Sequence, residues 1–372
     1  MTHVLILCFS PLHRDPRVRR QIEALSPACR VAAAGWSDPG VSGVTFIPLP
    51  TFSRSRFKQA VMMKLRAFEA FYWSQRHIQT GLRRLLPVAA TCDAILANDL
   101  EALPLALALA RKSMPRKRVI FDAHEFSPLE LAHSPLWRFF LKAYKTYLCR
   151  RYMPEADVCV TVNRPIADAY AQFGVTCEIC MNLPAFHNLE PKPAGRRIRL
   201  IHHGIANAGR GLEVMIETAK LLDERFDTGF MLMPSTDTYM RHLRQVSADH
   251  PRIHFIDPAP FTGIIPALHH YDIGLFLLPP SSFNNLNALP NKFFEFIQAR
   301  LMVAVGPSPA MAEQTWLHDC GIVAEDFSAT ALANRLNALG ASTIDRYKHA
   351  SHRAAQTLHA GVMAEKWRQW VL

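Results

Sequence analysis

The side chains best placed to do chemistry lie in the stretch Asn287-Ala-Leu-Pro-Asn-Lys-Phe-Phe-Glu295. Lys292 and Glu295 are three residues apart and so share one helix face, and Pro290 suits a first helical turn, where a missing N–H costs nothing. Asn287 and Asn291 add two carboxamides. The uncharged residues 301–305 follow, as expected of a strand buried in a parallel sheet. A cation and a carboxylate near a helix N-terminus at a sheet edge suit an anionic ligand that carries hydroxyl groups. The ordinary alternative is a solvated i,i+3 ion pair on a surface helix.

A second set precedes it: His202-His-Gly-Ile-Ala-Asn-Ala-Gly-Arg210-Gly-Leu-Glu. Gly204 would let a ligand approach the backbone, and Gly209 and Gly211 flank the Arg210 guanidinium. A diphosphate here would meet backbone N–H groups, a helix dipole and Arg210, with Lys292 as a second cation. Glu295 could accept hydrogen bonds from two ribose hydroxyls. Each element alone is commonplace, and a plain strand-to-helix turn is the alternative for residues 204–211. Both together, in this order within one domain, carry more weight.

The elements that must position these groups alternate along the chain. Residues 4–9 read as a buried strand, residues 14–25 as a helix with Asp15 as N-cap and Pro16 at its first position, and residues 31–34 as a second strand. After residue 90 come strands at 94–97, 118–121, 158–162 and 178–181. Asn98-Asp99 is expected to cap a helix reaching Lys112, and Asn163 one that begins near Pro165. Residues 183–198 hold three prolines and little periodicity, the mark of a linker. The alternation then restarts, with strands at 199–202, 229–233, 253–256 and 273–278, helices between them, and helix again at 329–339 and 343–372. No short repeat or low-complexity tract interrupts it. The fold class expected is α/β: two Rossmann-like, doubly wound parallel-sheet domains facing a cleft, with C-terminal helices. The expected domains are 1–185, 199–342 and a helical segment, 343–372, that packs back toward the first. A cleft between two such domains is the expected site.

Composition narrows the partners. The chain has 372 residues, 49% of them hydrophobic and 20% charged, with a net charge of +11. Residues 1–190 hold 24 Lys and Arg against 15 Asp and Glu, which points to an anionic partner for that half. Within residues 51–84, Arg54, Arg56, Lys58, Lys64, Arg66, Arg76, Arg83 and Arg84 face one acid, Glu69. Phe57, Val61, Leu65, Phe68 and Tyr72 recur there at helical spacing. This basic amphipathic stretch, with a second at 137–151, is a candidate for contact with an anionic membrane surface; the alternative is a stripe packed into the core under a solvated basic face. No nucleic-acid-binding motif accompanies the basic residues. The eight cysteines read as reduced core thiols, and Cys177-Glu-Ile-Cys180 has no second pair to complete a zinc ribbon. The start lacks a basic leader and no stretch is apolar enough to span a membrane. The expected location is therefore cytoplasmic, with peripheral attachment to the inner face of the plasma membrane if the basic surface binds it.

The chain resembles GT-B glycosyltransferases, and within them glycosyltransferase family 4. Asp15-Pro-Arg-Val with Gln21 is similar to the family's first loop and helix. Phe121-Asp-Ala-His-Glu125 resembles its "DaHe" segment, and Ala156-Asp-Val-Cys-Val-Thr-Val-Asn163 its "aDavitvS" strand. His203-Gly with Arg210-Gly-Leu-Glu is similar to its "vGrl…KGle" loop. Asn287-x7-Glu295 falls on its E-x7-E motif. The resemblance implies a nucleotide-sugar donor (a UDP- or GDP-sugar) in the C-terminal domain and a glycan or lipid-linked acceptor in the N-terminal domain. It implies retention at the anomeric carbon, no obligatory metal and no cofactor; the chain has no Asp-x-Asp. It places Gly204, Arg210, Asn287, Asn291, Lys292 and Glu295 on the donor, and His124 near the transferred sugar. There are three departures: Asn287 replaces the first Glu of E-x7-E, Ser10-Pro-Leu-His13 stands where the family has Gly-Gly, and Arg300 occupies a turn where Gly is common. The expected activity is retaining glycosyl transfer in surface polysaccharide or glycolipid synthesis. A nucleotide-sugar epimerase of the same fold, and a non-catalytic nucleic-acid-binding protein, are the alternatives.

Overall fold

The computed structural model describes residues 1–51, 61–130 and 135–372, the side chains of 135–140 excepted. The chain divides into two compact units, Met1–Met181 with Gly361–Leu372, and Asn182–Ala360.

The first unit is built on β1 (Thr2–Leu7), β2 (Cys29–Gly35), β3 (Thr45–Pro48), β4 (Ala94–Asn98), β5 (Arg118–Ala123), β6 (Val158–Thr161) and β7 (Cys177–Ile179). They form one parallel sheet in the order β3-β2-β1-β4-β5-β6-β7. The order reverses between β1 and β4, where Val4 pairs with Val31 on one side and Ala94 on the other. Residues 4–7 and 94–98 are buried on both faces, as a parallel sheet covered by helices demands. Asp15 caps the helix Pro16–Leu25, its Oδ1 accepting from the Arg17 and Val18 N–H groups at 3.2 Å. Asn163 caps Arg164–Ala171 by accepting from Ile166 N–H at 3.0 Å. Asn98-Asp99 is no cap, against expectation: the next helix starts only at Leu103 and its N-cap is Ala102, which makes no side-chain bond. Asp99 instead turns the chain at φ +66°, a left-handed conformation that Asp tolerates better than most residues. The C-terminal helix Ala360–Val371 belongs largely to this unit: Lys366 donates to the Ile179 carbonyl at 3.0 Å and Arg368 to that of Ala24 at 3.3 Å.

The basic amphipathic stretch divides. Arg54, Arg56, Phe57 and Lys58 lie outside the described residues. Phe68 and Tyr72 are buried, whereas Val61 and Leu65 are 43% and 73% exposed. Lys64, Arg66, Arg76, Arg83 and Arg84 are all exposed. Among the described residues, no helix is long and apolar enough to cross a membrane.

The second unit repeats the plan with β8 (Ile198–Ala206), β9 (Phe226–Pro234), β10 (Ile253–Ile256), β11 (Ile273–Phe276), β12 (Met302–Val305) and β13 (Gly321–Val323). The parallel order β10-β9-β8-β11-β12-β13 reverses between β8 and β11. Strand β8 runs further than its apolar residues suggest. Pairing with β9 continues to Ala206, opposite Pro234, so Gly204 is a strand residue and the loop proper begins at Asn207. The helix Asn291–Gln298 packs directly on β11 at Gly274, where any Cβ would fall 2.2 Å from the Phe296 ring. From Lys292 to Gln298 every residue of that helix is buried.

Residues 183–195 form neither helix nor strand, yet they are tied to this unit through Arg300. That residue is buried at φ +64°. Its guanidinium donates to the carbonyls of His187 (2.6 Å), Leu189 (3.0 Å) and Gln298 (2.6 Å).

Candidate functional site

In the second unit, sheet and helix bring Gly204, Lys292 and Glu295 together at the C-terminal edge of β8. Lys292 and Glu295 are each only 6% exposed, so the surface ion pair is excluded. Lys292 Nζ lies 3.5 Å from His202 Nε2 and 4.8 Å from the centre of the Phe276 ring. A Cβ on Gly204 would fall 2.6 Å from the same nitrogen, and Gly204 sits at φ +135°. The ammonium is thus held by an imidazole, an aromatic face and a bare stretch of backbone, with no carboxylate at ion-pair distance among the described residues. Burial, reinforced by the Arg210 charge and only partly opposed by Glu295, brings its pKa down to about 7.

His202 is completely buried and stacks on Phe276 with ring planes 3° apart. Burial, then the charge of Lys292, pushes its pKa well down against the Leu275 carbonyl, so the ring is neutral. Next along β8, His203 points to the other face, with Nε2 3.2 Å from Glu295 Oε2. Burial lowers the His203 pKa although Glu295 opposes it.

Of the other expected donor residues, Arg210 is exposed at the end of the 3-10 turn Ala208–Arg210. Asn291 opens the helix and is half-buried. Asn287 closes the short helix Phe283–Leu286 by donating Nδ2–H to the Phe283 carbonyl at 2.9 Å. Where the resembling family has a carboxylate, this chain has an amide engaged in holding its own turn. The sequence shows His202 and His203 only as part of the strand-to-loop motif, with no role of their own, and does not single out Phe276; the available signal is a pair of histidines ending an apolar strand.

In the first unit, the strand ends of β4 and β5 gather Asn98, Asp99, Asp122 and His124. Asp122 is fully buried. It accepts from Arg17 Nε at 2.6 Å, from Arg17 Nη2 and from Gln21 Nε2. Burial, the largest single influence, would raise its pKa; the charges of Arg17 and His124 and their hydrogen bonds together outweigh it and hold the carboxyl at about 2. Arg17 also donates to the Cys180 carbonyl at 3.1 Å. His124 lies between two carboxylates, Nδ1 3.4 Å from Asp99 and Nε2 3.4 Å from Asp122. Burial opposes its charge, but Asp99 and then Asp122 raise its pKa. Asp99, hemmed in by protein while still touching solvent, has its own pKa raised by burial despite His124. The two carboxylates thus bias His124 toward its protonated form, on a side chain 22% exposed at a strand end. Among the described residues no three His, Cys, Asp or Glu side chains gather as metal ligands.

No protein-family model matches the chain, and no curated protein sequence is similar to it. Solved structures are similar over nearly the whole length. Anabaena HepE in complex with UDP-glucose superposes with a TM-score of 0.73 at 13% identity, covering 99% of each chain. Sucrose-phosphate synthase from Thermosynechococcus elongatus gives 0.70 at 13% identity, covering 99% of this chain and 98% of that one. WaaG, a glycosyltransferase involved in lipopolysaccharide biosynthesis, gives 0.64 at 14% identity, covering 98% of each. The chain has the GT-B fold, two Rossmann-type parallel sheets in one polypeptide.

Proposed function

We propose that this chain is a glycosyltransferase that moves a sugar from a nucleotide-sugar donor to a glycan or lipid-linked acceptor. The observation that carries the reading is Lys292, a buried cation without a carboxylate partner among the described residues, set against the bare backbone of Gly204. A buried charge so placed is stabilised by an anion that completes its pairing. In this reading the donor diphosphate lies between Lys292 and Arg210 at the β8 strand end, and Glu295 holds the ribose hydroxyls. The two cations offset the negative charge that grows on the nucleoside diphosphate as the glycosidic bond breaks. The similar HepE structure, in complex with UDP-glucose, supports a UDP-sugar donor, and retention and metal independence follow from the motif resemblance. In this reading His124, biased toward its protonated form by Asp99 and Asp122, hydrogen-bonds the transferred sugar.

The exposed cations beside Val61 and Leu65 support docking of the first unit on an anionic membrane, with a role in surface polysaccharide or glycolipid synthesis. Flotation with anionic vesicles at low salt tests this, and no binding removes the membrane clause. The donor assignment is tested by turnover of UDP-glucose and other nucleotide sugars by R210A and E295A. Both should lose activity at least tenfold while remaining folded, and near-wild-type rates in both would remove it.

A further inference from the structure

A cavity of about 380 Å³ opens within the first unit between the ends of β4 and β5 and the residues that follow β1. Its charge contrasts with that of the chain. Asp99, Glu101, Glu125 and Glu130 line it, against Lys145 and His124. Lys145 is already engaged: it bridges Glu101 and, at 3.0 Å, Glu130. Those two carboxylates raise its pKa although burial opposes them. Among the described residues, a protein of net charge +11 therefore lines this cavity with more acids than bases, in its more basic half.

Asn98 supplies an independent observation. It lines the cavity, is 0% exposed, and neither its Oδ1 nor its Nδ2 has a hydrogen-bond partner among the described residues. A buried carboxamide with both ends unsatisfied is rare, because each lost bond to water is a cost that folding normally recovers. A ligand with adjacent hydroxyls can recover it, since a hydroxyl both donates to Oδ1 and accepts from Nδ2–H. Phe9 contributes an apolar wall.

We infer that this cavity is an acceptor subsite selecting a neutral or amine-bearing sugar over a phosphorylated one, with Asn98 as its hydroxyl-reading residue. The inference rests on the glycosyl-transfer reading and adds to it the chemical class of the acceptor. The lining carboxylates repel a phosphate and can pair with an ammonium, while Lys145 is held away from any phosphate by Glu101 and Glu130.

Calorimetric titration of the full chain with methyl glucoside, glucosamine and glucose 6-phosphate tests this. The first two should bind at least tenfold more tightly than the third. N98L should weaken both about tenfold while melting as a single folded species. E130Q, which leaves Lys145 paired with Glu101, should narrow the discrimination against glucose 6-phosphate at least threefold, a change that a purely structural role for Glu130 would not produce. Binding of glucose 6-phosphate as tight as glucosamine, no binding of methyl glucoside or glucosamine, or wild-type affinities in N98L would overturn it. Titration of the wild type with UDP-glucose is read separately, and its failure counts against the donor reading of the second unit.

Discussion

Lys292 Nζ stands 3.5 Å from Nε2 of His202, a ring whose other nitrogen is committed to the Leu275 carbonyl at 2.9 Å. A carbonyl only accepts, so Nδ1 carries the hydrogen and Nε2 presents a lone pair to Lys292. The neutral ring can hold the ammonium but cannot neutralise it, and the Lys292 pKa stays near 7.

A pH dependence follows, with a definite sign. Without ligand, Lys292 loses its proton as pH rises through about 7. A bound diphosphate favours the charged form and raises that pKa. Donor binding above pH 7 therefore takes up a proton, and affinity falls by up to about tenfold per pH unit until the pKa of the complex is passed. UDP-glucose titrated at pH 8 in buffers of different ionisation enthalpy should report this uptake, and K292M should abolish it. Equal apparent enthalpies in all buffers would sink the idea. The same shift acts on stability. The unfolded chain binds the Lys292 proton up to its ordinary pKa of 10.5 and the folded chain only up to about 7. This group's penalty on folding is thus full below 7 and is relieved as pH rises toward 10.5.

Gly204→Ala tests the close approach of backbone to cation. The new methyl would lie 2.6 Å from Nζ and 3.3 Å from Cε of Lys292, at a φ of +135° that L residues rarely adopt. Lys292 cannot easily retreat, because His202 and Phe276 stand behind it. The expected cost is about 1–3 kcal/mol in stability and at least tenfold in UDP-glucose affinity. Thermal melting and titration measure the two separately; unchanged affinity would show that the ligand does not use this backbone.

What was legible in the sequence divides by the range of the forces involved. The Asp15 and Asn163 caps are local, made within three residues of the cap itself, and both were readable. The doubly wound sheets were readable because strands buried on both faces need uncharged runs. The spacing of Lys292 and Glu295 gave their shared face but could not tell a buried face from a solvated one. Burial was decided by Gly274, distant in sequence, which lets Phe296 and its helix settle onto β11. Asn98 looked like a cap because Asn often is one, but the helix starts five residues later and the side chain lines a cavity instead. His202 was hidden because its role depends on a lysine 90 residues away.

Asp122 is the buried centre of the first unit's polar cluster. Asp122→Asn should leave Arg17, itself 5% exposed, without its counter-charge, at a cost of about 3–5 kcal/mol. The wild-type pair has a pH signature. The Asp122 pKa is depressed from 3.8 to about 2, so its stabilisation is complete above 3.8 and is lost as pH falls toward 2. His124 has the opposite sign. Its raised pKa contributes stability below 6.5, which is lost as pH rises through the folded value. D122N should move the His124 titration to lower pH in ring-proton NMR. An unmoved titration would place the influence on His124 in Asp99 alone.

Arg300→Gly sets two opposing terms against each other. Glycine would relieve a non-glycine residue held at φ +64°, worth about 1–2 kcal/mol. The loss is larger. The guanidinium donates to the carbonyls of His187, Leu189 and Gln298, and a buried carbonyl left unpaired costs about 1–3 kcal/mol. Water can reach part of the vacated space, so we expect a net destabilisation of about 2–4 kcal/mol, in the lower half of those bounds. R300K keeps the strained backbone and a positive charge but has too compact a donor head to reach three carbonyls; it should be destabilised as well. The two variants separate the terms, because only glycine removes the strain. Chemical denaturation gives the stabilities, and limited proteolysis within residues 183–198 reports whether the segment has come loose. Faster cleavage there in both variants is expected. If R300G proved more stable than wild type, backbone strain would outweigh the anchoring bonds, and Arg300 would not be what ties the proline-rich segment to the second sheet.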